Sequence, residues 1–471
     1  MVFSSLQFIF IFLPAFMVVY YLVPERFRNL LLFLGSMVFY TVGAWHEPIY
    51  VGFLLIAVLF NYLAGLLIER GKHQKLWFVI GLVFDLGWLG VFKYADFFIR
   101  GINILVHAFS PTAVGIAPLE LTLPIGISFY TFQAVSYLVD VKRGDVHAEK
   151  NFINYGAYLT MFPQLIAGPI VKYSTVAERL QHRKYSFFQF VDGFKIFILG
   201  LGLKVLLANR LAGLWGNMEG IGYDFVSTPL AWAGILAYAF EIYFDFFGYS
   251  LMAIGLGHML GFEFPQNFNH PYLSLSMTEF WRRWHMTLGS WFKNYVYIPL
   301  GGNREGTAKT FRNLFIVWAL TGLWHGAHMN FVLWGLCTFV LIAIEKSGFL
   351  KVLEKHHWLG HIYMFFVLCI MWSLFAITDF HDIGAFLARL FPFFGSASQG
   401  ALHPGPDFVR LIKQYWPFLA LGFLFSTEYP YQWYLKIKDN IIGSFVMIAI
   451  FWGSVYCMYK GMNDPFLYFR F

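Results

Sequence analysis

Long apolar stretches, separated by short polar connections, dominate the pattern of hydrophobic and polar positions along the chain. A helix that crosses a bilayer needs about 20 consecutive apolar residues. Several stretches are shorter and fit tilted, re-entrant or half-spanning helices, so the pattern predicts roughly 11 to 13 membrane-embedded segments. The candidate segments are residues 2–23, 30–44, 49–68, 76–94, 124–140, 152–171, 187–207, 230–260, 311–323, 329–345, 361–378, 414–426 and 440–459.

The opening apolar stretch, residues 2–23, is interpreted as a retained first span. It lacks the positively charged start and the small-residue cleavage site of a signal peptide. Arg26 and Arg28 follow it directly, and Lys72 and Lys75 follow the third span. Because basic loops stay in the cytoplasm, this placement predicts an N-terminus on the outer side of the membrane.

Composition agrees with this interpretation. Hydrophobic residues make up 59% of the chain and charged residues 13%, against about 25% charged residues in soluble domains. The net charge of +7 fits basic cytoplasmic loops rather than nucleic-acid binding. The three cysteines, Cys337, Cys369 and Cys457, lie in apolar runs and are expected to be buried hydrophobic residues rather than disulfides or metal ligands.

Residues 261–310 break the membrane pattern. Ser276 and Glu279 have the spacing of a capping box, which predicts the start of a helix. From Phe280 to Tyr297 aromatic residues alternate irregularly with basic ones, which fits a helix buried among others or lying at the membrane interface. A Pro-Leu-Gly-Gly run from position 299 is expected to end it. A second stretch, residues 380–412, is rich in Gly and Pro and predicts a connector.

Polar side chains inside a bilayer are costly, about 2.5–3.5 kcal/mol for an arginine or aspartate at its centre, so they call for an explanation. The candidates are Asp245, His258, Glu279, Arg282, Arg283, His285, Asn303, Arg304, His325 and His328.

His325 stands between Trp324 and Gly326 in an otherwise apolar run. A neutral imidazole in this setting could accept a proton from a hydroxyl as a general base. The structural alternative is a buried histidine that donates to a backbone carbonyl. His325 and His328 are three residues apart and could share a helix face as a metal pair, but no cysteine or suitably placed glutamate completes such a site, so no metal is expected.

Glu279, Arg282 and Arg283 have helical spacing and could pair within one helix, which would make their charges tolerable at depth. Alternatively, an arginine could hold a phosphate or carboxylate of a donor such as coenzyme A. Asp245 lies among aromatic residues. It is expected to bind a polar partner in the helix bundle, although an aspartate could also orient a catalytic imidazole.

The motifs Glu279–His285 (EFWRRWH), Tyr297–Arg304 (YIPLGGNR) and Leu323–Gly326 (LWHG) closely resemble the bacterial membrane-bound O-acyltransferase family. Further matches are Leu123–Tyr130 and Leu165–Pro169, in family order. The branch most similar is the alginate O-acetyltransferase type, whose relatives act on peptidoglycan, cellulose or teichoic acids. In that branch the motif after Asp245 has a serine and a second aspartate, where this chain has Phe247 and Leu251.

The resemblance implies an all-α polytopic membrane protein, a ring of tilted helices around a central tunnel with re-entrant or interfacial helices. One domain would span residues 1–471, with a signature core at about 120–340 and C-terminal helices at 361–459. His325 maps onto the family's catalytic histidine and His285 onto its second site histidine. Trp324, Asp245, Glu279, Arg282, Arg283, Asn303 and Arg304 are further candidates for donor binding or site support.

The implied reaction is acyl transfer from a cytoplasmic thioester, acetyl-CoA or an acyl carrier protein, with no bound cofactor. The acceptor would be a hydroxyl of an exported cell-surface polysaccharide, reached directly or through a periplasmic or extracellular partner transferase, at the bacterial cytoplasmic membrane. D-alanyl transfer to teichoic acid is the alternative with the same mechanism. A transporter, flippase or export scaffold is the alternative from another class, but the inverted repeats that a transporter predicts are not found in the sequence. The acceptor glycan, the acyl group and the oligomeric state stay open.

Overall fold

A computed structural model describes residues 2–393, 405–462 and 466–467. This part of the chain is helical and contains no β-strand. The helices are α1 Leu13–Leu22, α2 Glu25–Gly43, α3 Ile49–Glu69, α4 Gln74–Leu89, α5 Ala95–Phe109, α6 Ile127–Arg143, α7 Phe152–Thr160, α8 Phe162–Leu165, α9 Tyr173–Gln181, α10 Phe187–Gly202, α11 Asn209–Ile221, α12 Thr228–Met259, α13 Met277–Arg283, α14 Met286–Phe292, α15 Thr307–His325, α16 Met329–Ile344, α17 Leu350–Lys355, α18 His357–Ala376, α19 Phe380–Leu390, α20 Pro406–Phe425, α21 Tyr429–Ile437 and α22 Ile441–Tyr459.

Five π-helical segments interrupt or extend these helices. Single π-turns are rare in proteins and often mark functional positions. They are Phe8–Phe12, Gly90–Tyr94, Leu203–Ala208, Lys293–Tyr297 and Glu345–Phe349.

Most of the predicted apolar segments fall on helices, but the segment 152–171 is divided between α7, α8 and a non-helical stretch at 166–171. Five helical stretches of the described chain are long and apolar enough to cross a membrane: Ile49–Glu69, Gln74–Phe109, Thr228–Met259, His357–Ala376 and Ile441–Tyr459. The other predicted segments fall on helices that are shorter or more polar. The total of about 11 to 13 membrane-embedded segments therefore stays a prediction.

The prediction of a connector at residues 380–412 is wrong at both ends of the stretch, where the structure has helices. Asp379 caps α19, its side chain accepting from the backbone N–H of His381 at 2.8 Å. The last part of the stretch belongs to α20. Residues 394–404 lie outside the described residues.

The chain divides into two compact units. The N-terminal unit comprises Met1–Gly193 and Leu256–Pro265. In it the ring of Phe162 packs edge-on against those of Phe8, Phe12 and Phe16. Within the spans of this unit, Asp85 of α4 accepts a hydrogen bond from the Asn61 amide of α3 at 2.7 Å. This bond gives one carboxylate oxygen a partner that lipid could not provide.

The C-terminal unit comprises Phe194–Gly255 and Gln266–Phe471. Its helices α15 and α16 pack backbone to backbone. A Cβ atom on Gly322 would lie 2.4 Å from the carbonyl oxygen of Phe331, and one on Gly335 would lie 2.5 Å from that of Trp318. Small residues at such crossings allow helices in membranes to approach closely. This pair of helices carries the Trp324-His325-Gly326 motif at its turn.

Candidate active site at two histidines

The predicted helix after residue 276 does begin there but is broken in the middle. The Ser276 side chain accepts a hydrogen bond from the backbone N–H of Glu279 at 3.1 Å, as the capping-box spacing predicts. Helix α13 ends at Arg283, and α14 begins at Met286. Between them His285 has φ 42° and ψ 54°, a left-handed conformation that costs a residue with a side chain about 1–2 kcal/mol.

Two backbone hydrogen bonds hold this break. The N–H of Met286 donates to the carbonyl of Asn267, and the N–H of Asn269 donates to the carbonyl of Arg283, both at 2.9 Å. A strained backbone persists only where its surroundings fix it, and such positions cluster at functional sites. The break therefore places the His285 side chain at a defined position.

The imidazole of His285 is almost fully buried and is bonded on one side only. Its Nδ1 lies 3.0 Å from the side-chain oxygen of Asn267. That oxygen also accepts from the backbone N–H and the hydroxyl of Thr287, at 3.3 and 2.9 Å, and the Asn267 amide nitrogen donates to the Ser250 hydroxyl at 3.1 Å. Because the Thr287 N–H can only donate, the amide orientation is fixed, and His285 must donate from Nδ1.

The opposite ring nitrogen, Nε2 of His285, is buried and has no hydrogen-bond partner among the described residues. His285 lies outside the five candidate spans, and burial lowers its pKa to about 3. The ring is therefore neutral near pH 7, and Nε2 offers a lone pair to a ligand. A buried acceptor without a partner is unfavourable, which is consistent with a substrate-binding position.

His325 is the last residue of α15 and is also buried. The rings of Trp334 and Phe375 stand edge-on to its imidazole, with centroids at 5.1 and 5.2 Å. Gly326 follows it because no side chain fits there, since a Cβ atom would lie 2.3 Å from the ring of Phe331. The apolar walls restrict water around the imidazole.

The ring of Trp324 contacts both histidines. Its centroid lies 5.9 Å from the His285 ring and 5.1 Å from the His325 ring. The structure thus brings together the three residues that the sequence motifs suggested from two separate parts of the chain. Two buried imidazoles thus lie beside one indole.

The sequence profile of the membrane-bound O-acyltransferase family matches residues 127–378, more than half of the chain and the part that contains both histidines. The chain belongs to the membrane-bound O-acyltransferase family. With its apolar helices, it is therefore an all-α, multi-pass membrane enzyme that transfers acyl groups to hydroxyls.

Curated relatives of this O-acyltransferase agree with the profile. A probable alginate O-acetylase of Pseudomonas aeruginosa is 42% identical over 407 residues, which are 83% of this chain and 75% of that protein. A peptidoglycan O-acetyltransferase of Helicobacter pylori is 34% identical over 74% of this chain and 71% of its own length. A teichoic acid D-alanyltransferase of Bacillus subtilis is more distant, at 27% identity over 51% of this chain and 63% of its own length.

His325 and His328 do not share a helix face, the arrangement that their spacing would have allowed. Helix α15 ends at His325, the chain becomes extended at Gly326, and His328 precedes α16 with an exposed side chain. The helix thus ends before His328 is reached. The two side chains therefore do not project from one helix.

The charged residues of α13 pair within their helix, as their spacing suggested. Arg283 lies 2.7 Å from the Glu279 carboxylate, and both side chains are about one-third exposed. The same carboxylate accepts from the backbone N–H of Leu275 at 2.9 Å. Arg282 is exposed, and Asn303 and Arg304 are exposed in the turns after the π-helical Lys293–Tyr297 segment. Any donor contact of these residues remains a prediction.

Asp245 binds a polar partner in the helix bundle, as expected, but sequence reasoning did not identify that partner. Its carboxylate lies 2.5 Å from the Lys204 ammonium group, and both side chains are buried. The available signal was a lysine inside the apolar run at the end of α10. Asn267, the partner of His285, was also missed. It is brought to His285 by the backbone hydrogen bond between Met286 and Asn267, which no local sequence pattern indicates.

The unusual Phe247 fills space beside the site. Its ring stacks on that of Tyr243, at 5.5 Å and 6° between planes, and contacts Phe268 at 5.7 Å. Both partners also contact the ring of Trp284, the residue before His285. Where the branch that this chain resembles has a serine, Phe247 thus adds an apolar ring to the aromatic cluster that contains Trp284.

Proposed function

We propose that this O-acyltransferase moves an acetyl group from a cytoplasmic thioester, acetyl-CoA or an acetylated acyl carrier protein, to a hydroxyl of an exported cell-surface polysaccharide. The observation that carries the proposal is that the rings of His325 and His285 both contact the ring of Trp324. The chemistry of the donor fits, because a thioester needs only one base and an apolar site to acylate a hydroxyl.

In the proposed reaction the oxygen of the acceptor hydroxyl attacks the carbonyl carbon of the thioester, and His325 removes the proton of that hydroxyl. The C–S bond then breaks, and the leaving thiolate takes the proton from the His325 imidazolium. No net proton is consumed, so the base is regenerated in each turnover.

His285 has a different role in this proposal. With the proton on Nδ1, its Nε2 can only accept. It therefore accepts a hydrogen bond from an O–H or N–H of a substrate and positions that substrate beside His325. The two histidines thus act as a base and a positioning acceptor rather than as two interchangeable bases.

The acetyl group and the glycan acceptor are supported by the relatives. The alginate and peptidoglycan O-acetyltransferases match this chain at higher identity than the teichoic acid D-alanyltransferase. We favour relay through a periplasmic or extracellular partner transferase, because no sugar-binding domain is recognisable outside the apolar segments. The basic residues after the first and third spans support a bacterial cytoplasmic membrane location with the N-terminus outside.

The test is acyl transfer by the purified enzyme in lipid nanodiscs. Radiolabelled acetyl-CoA, acetylated acyl carrier protein and D-alanylated acyl carrier protein are supplied separately, with alginate or peptidoglycan fragments as acceptors. Each reaction is run with and without a periplasmic or extracellular extract of the source cells, which supplies a partner transferase. We expect transfer from an acetyl donor, loss in His325→Ala, and little change in His361→Ala, which removes an exposed imidazole of α18.

The thermal midpoint of each variant separates chemistry from folding. Because His325→Ala also removes ring contacts with Trp334 and Phe375 and should lower the midpoint, the bulkier His325→Gln is measured beside it. Full transfer by folded His325→Ala would overturn the assignment of the base, and a preference for the D-alanyl donor would overturn the acetyl proposal.

A further inference from the structure

A buried ion pair links α12 to the π-helical segment Leu203–Ala208 that follows α10. The Lys204 ammonium nitrogen lies 2.5 Å from one carboxylate oxygen of Asp245, with only 3% and 2% of the two side chains exposed. Lys204 also donates to the side-chain oxygen of Asn209 at 2.8 Å. The helices approach closely because Gly200 and Gly248 face each other, and a Cβ atom on Gly200 would lie 2.4 Å from the Gly248 carbonyl oxygen.

The second carboxylate oxygen of Asp245 binds the chain beyond α22. The backbone N–H of Leu467 donates to it at 2.7 Å. The ring of the preceding Phe466 stacks on Tyr249, with centroids 4.6 Å apart, and contacts Phe246 at 5.8 Å. Phe466 and Leu467, here called the docked segment, are both buried.

Phe246 connects the docked segment to the candidate site. Its ring stands perpendicular to the His285 imidazole at 4.7 Å. Direct contacts therefore lead from Lys204 through Asp245 and the docked segment to the Phe246 ring, and from there to His285. Asn267 fixes one edge of the imidazole, and Phe246 forms a wall beside it.

We propose that the Lys204–Asp245 pair is a latch that docks the Phe466–Leu467 segment and thereby holds the Phe246 ring against His285. Lys204 is then a positioning residue for acyl transfer, and the inference rests on the proposed role of the two histidines. A buried ion pair contributes little net stability compared with apolar residues of the same volume, whereas removing one partner leaves an uncompensated charge. A positioning role explains why both charges occupy this place.

The test compares four changes in the full-length enzyme in nanodiscs. Leu467→Pro removes the N–H donor without changing any charge. Lys204→Met leaves the carboxylate without its cation, whereas Lys204→Met combined with Asp245→Asn removes both charges and keeps an oxygen to accept from Leu467. Lys195→Met is the matched control, because Lys195 of α10 pairs at 3.1 Å with Asp439, whose side chain is 70% exposed.

Two readouts are combined: acetyl transfer with the donor that the wild type uses, and hydrogen–deuterium exchange of the peptide that contains Leu467. We expect Leu467→Pro and Lys204→Met to lower kcat on the order of tenfold to a hundredfold, with little change in KM. Exchange across the docked segment should be faster in Lys204→Met, whereas Leu467→Pro, which has no amide hydrogen at position 467, is judged by its kinetics. The double variant should restore slow exchange and most of kcat, and Lys195→Met should behave as the wild type.

Faster exchange with unchanged kcat would overturn the latch, and so would wild-type kinetics in Leu467→Pro. If Lys204→Met does not fold, Leu467→Pro and the double variant still decide the question. Failure of the proposed function looks different, because His325→Ala would then retain transfer whatever the latch variants do.

Discussion

The side-chain oxygen of Asn267 accepts a hydrogen bond from Nδ1 of His285 at 3.0 Å and thereby sets the tautomer of that ring. The same oxygen accepts from the backbone N–H and the hydroxyl of Thr287, while the amide nitrogen donates to Ser250. One asparagine thus connects α12, the break between α13 and α14, and the imidazole. The free Nε2 lone pair of His285 depends on this arrangement.

Replacement of Asn267 should impair catalysis more than substrate binding. Asn267→Leu keeps the volume but removes the acceptor, so the His285 ring can rotate or change tautomer. We expect kcat for acetyl transfer to fall on the order of tenfold to a hundredfold. Asn217→Leu is the control, since Asn217 is exposed on α11 and donates to the Gly213 carbonyl at 2.6 Å. Wild-type turnover in Asn267→Leu would show that the tautomer of His285 does not matter.

The low pKa of His285 should make the protein less stable in acid. Burial lowers this pKa to about 3, whereas an unfolded histidine has a value of about 6.5. Between these values the unfolded state binds a proton that the folded state does not, so His285 favours folding above about pH 6.5 and this contribution is lost as the pH falls toward 3.

Thermal midpoints measured between about pH 7.5 and pH 5 test this linkage. The wild type should lose stability on acidification more steeply than His285→Gln. His107→Gln, which removes an exposed imidazole of α5, should run parallel to the wild type. Parallel curves for the wild type and His285→Gln would mean that folding does not lower the pKa of His285.

Much of the fold could be predicted from apolar runs. The segment at residues 329–345 corresponds to α16, Met329–Ile344, and the one at 440–459 corresponds to α22, Ile441–Tyr459. The break at His285 could not be predicted, because its neighbours include neither proline nor glycine. It results from backbone hydrogen bonds to Asn267 and Asn269, and a local pattern carries no information on such pairing.

The site was predictable only in part and for a related reason. The family motifs identify His285 and His325, and the structure adds that Trp324 contacts both. The partner of Asp245 was not predictable from spacing, since Lys204 is distant in sequence and is positioned by the crossing of two helices at glycines. Long-range polar pairs of this kind require the tertiary structure.

Glu345 should be important for stability. Its fully buried carboxylate accepts from the backbone N–H groups of Met277 and Thr278, at 2.6 and 2.8 Å, from the Thr278 hydroxyl at 2.6 Å and from the Tyr363 hydroxyl at 3.0 Å. Glu345→Ala leaves these donors at the start of α13 without an acceptor, which should cost about 3 kcal/mol or more. The thermal midpoint should fall clearly, whereas that of Glu354→Ala, an exposed position on α17, should not. An unchanged midpoint in Glu345→Ala would contradict the structural role.

The crossing of α15 and α16 should tolerate no added methyl group. A Cβ atom on Gly335 would lie 2.5 Å from the Trp318 carbonyl oxygen and 3.1 Å from the Cα atom of Gly322. Both contacts are with backbone, so Gly335→Ala must separate the helices, at a cost of about 1–3 kcal/mol. Because His325 ends α15, the separation should also lower acetyl transfer.

Gly216→Ala is the matched control for this substitution. Gly216 lies within α11, and a Cβ atom there would meet nothing within 4 Å. Alanine at such a helical position should stabilise the folded protein by about 0.5–1 kcal/mol, because it lowers the conformational entropy of the unfolded chain. Acetyl transfer should be unchanged. The thermal midpoints of the two variants should therefore move in opposite directions, and only Gly335→Ala should lower the initial rate. Equal behaviour of Gly335→Ala and Gly216→Ala would mean that the close crossing does not position His325.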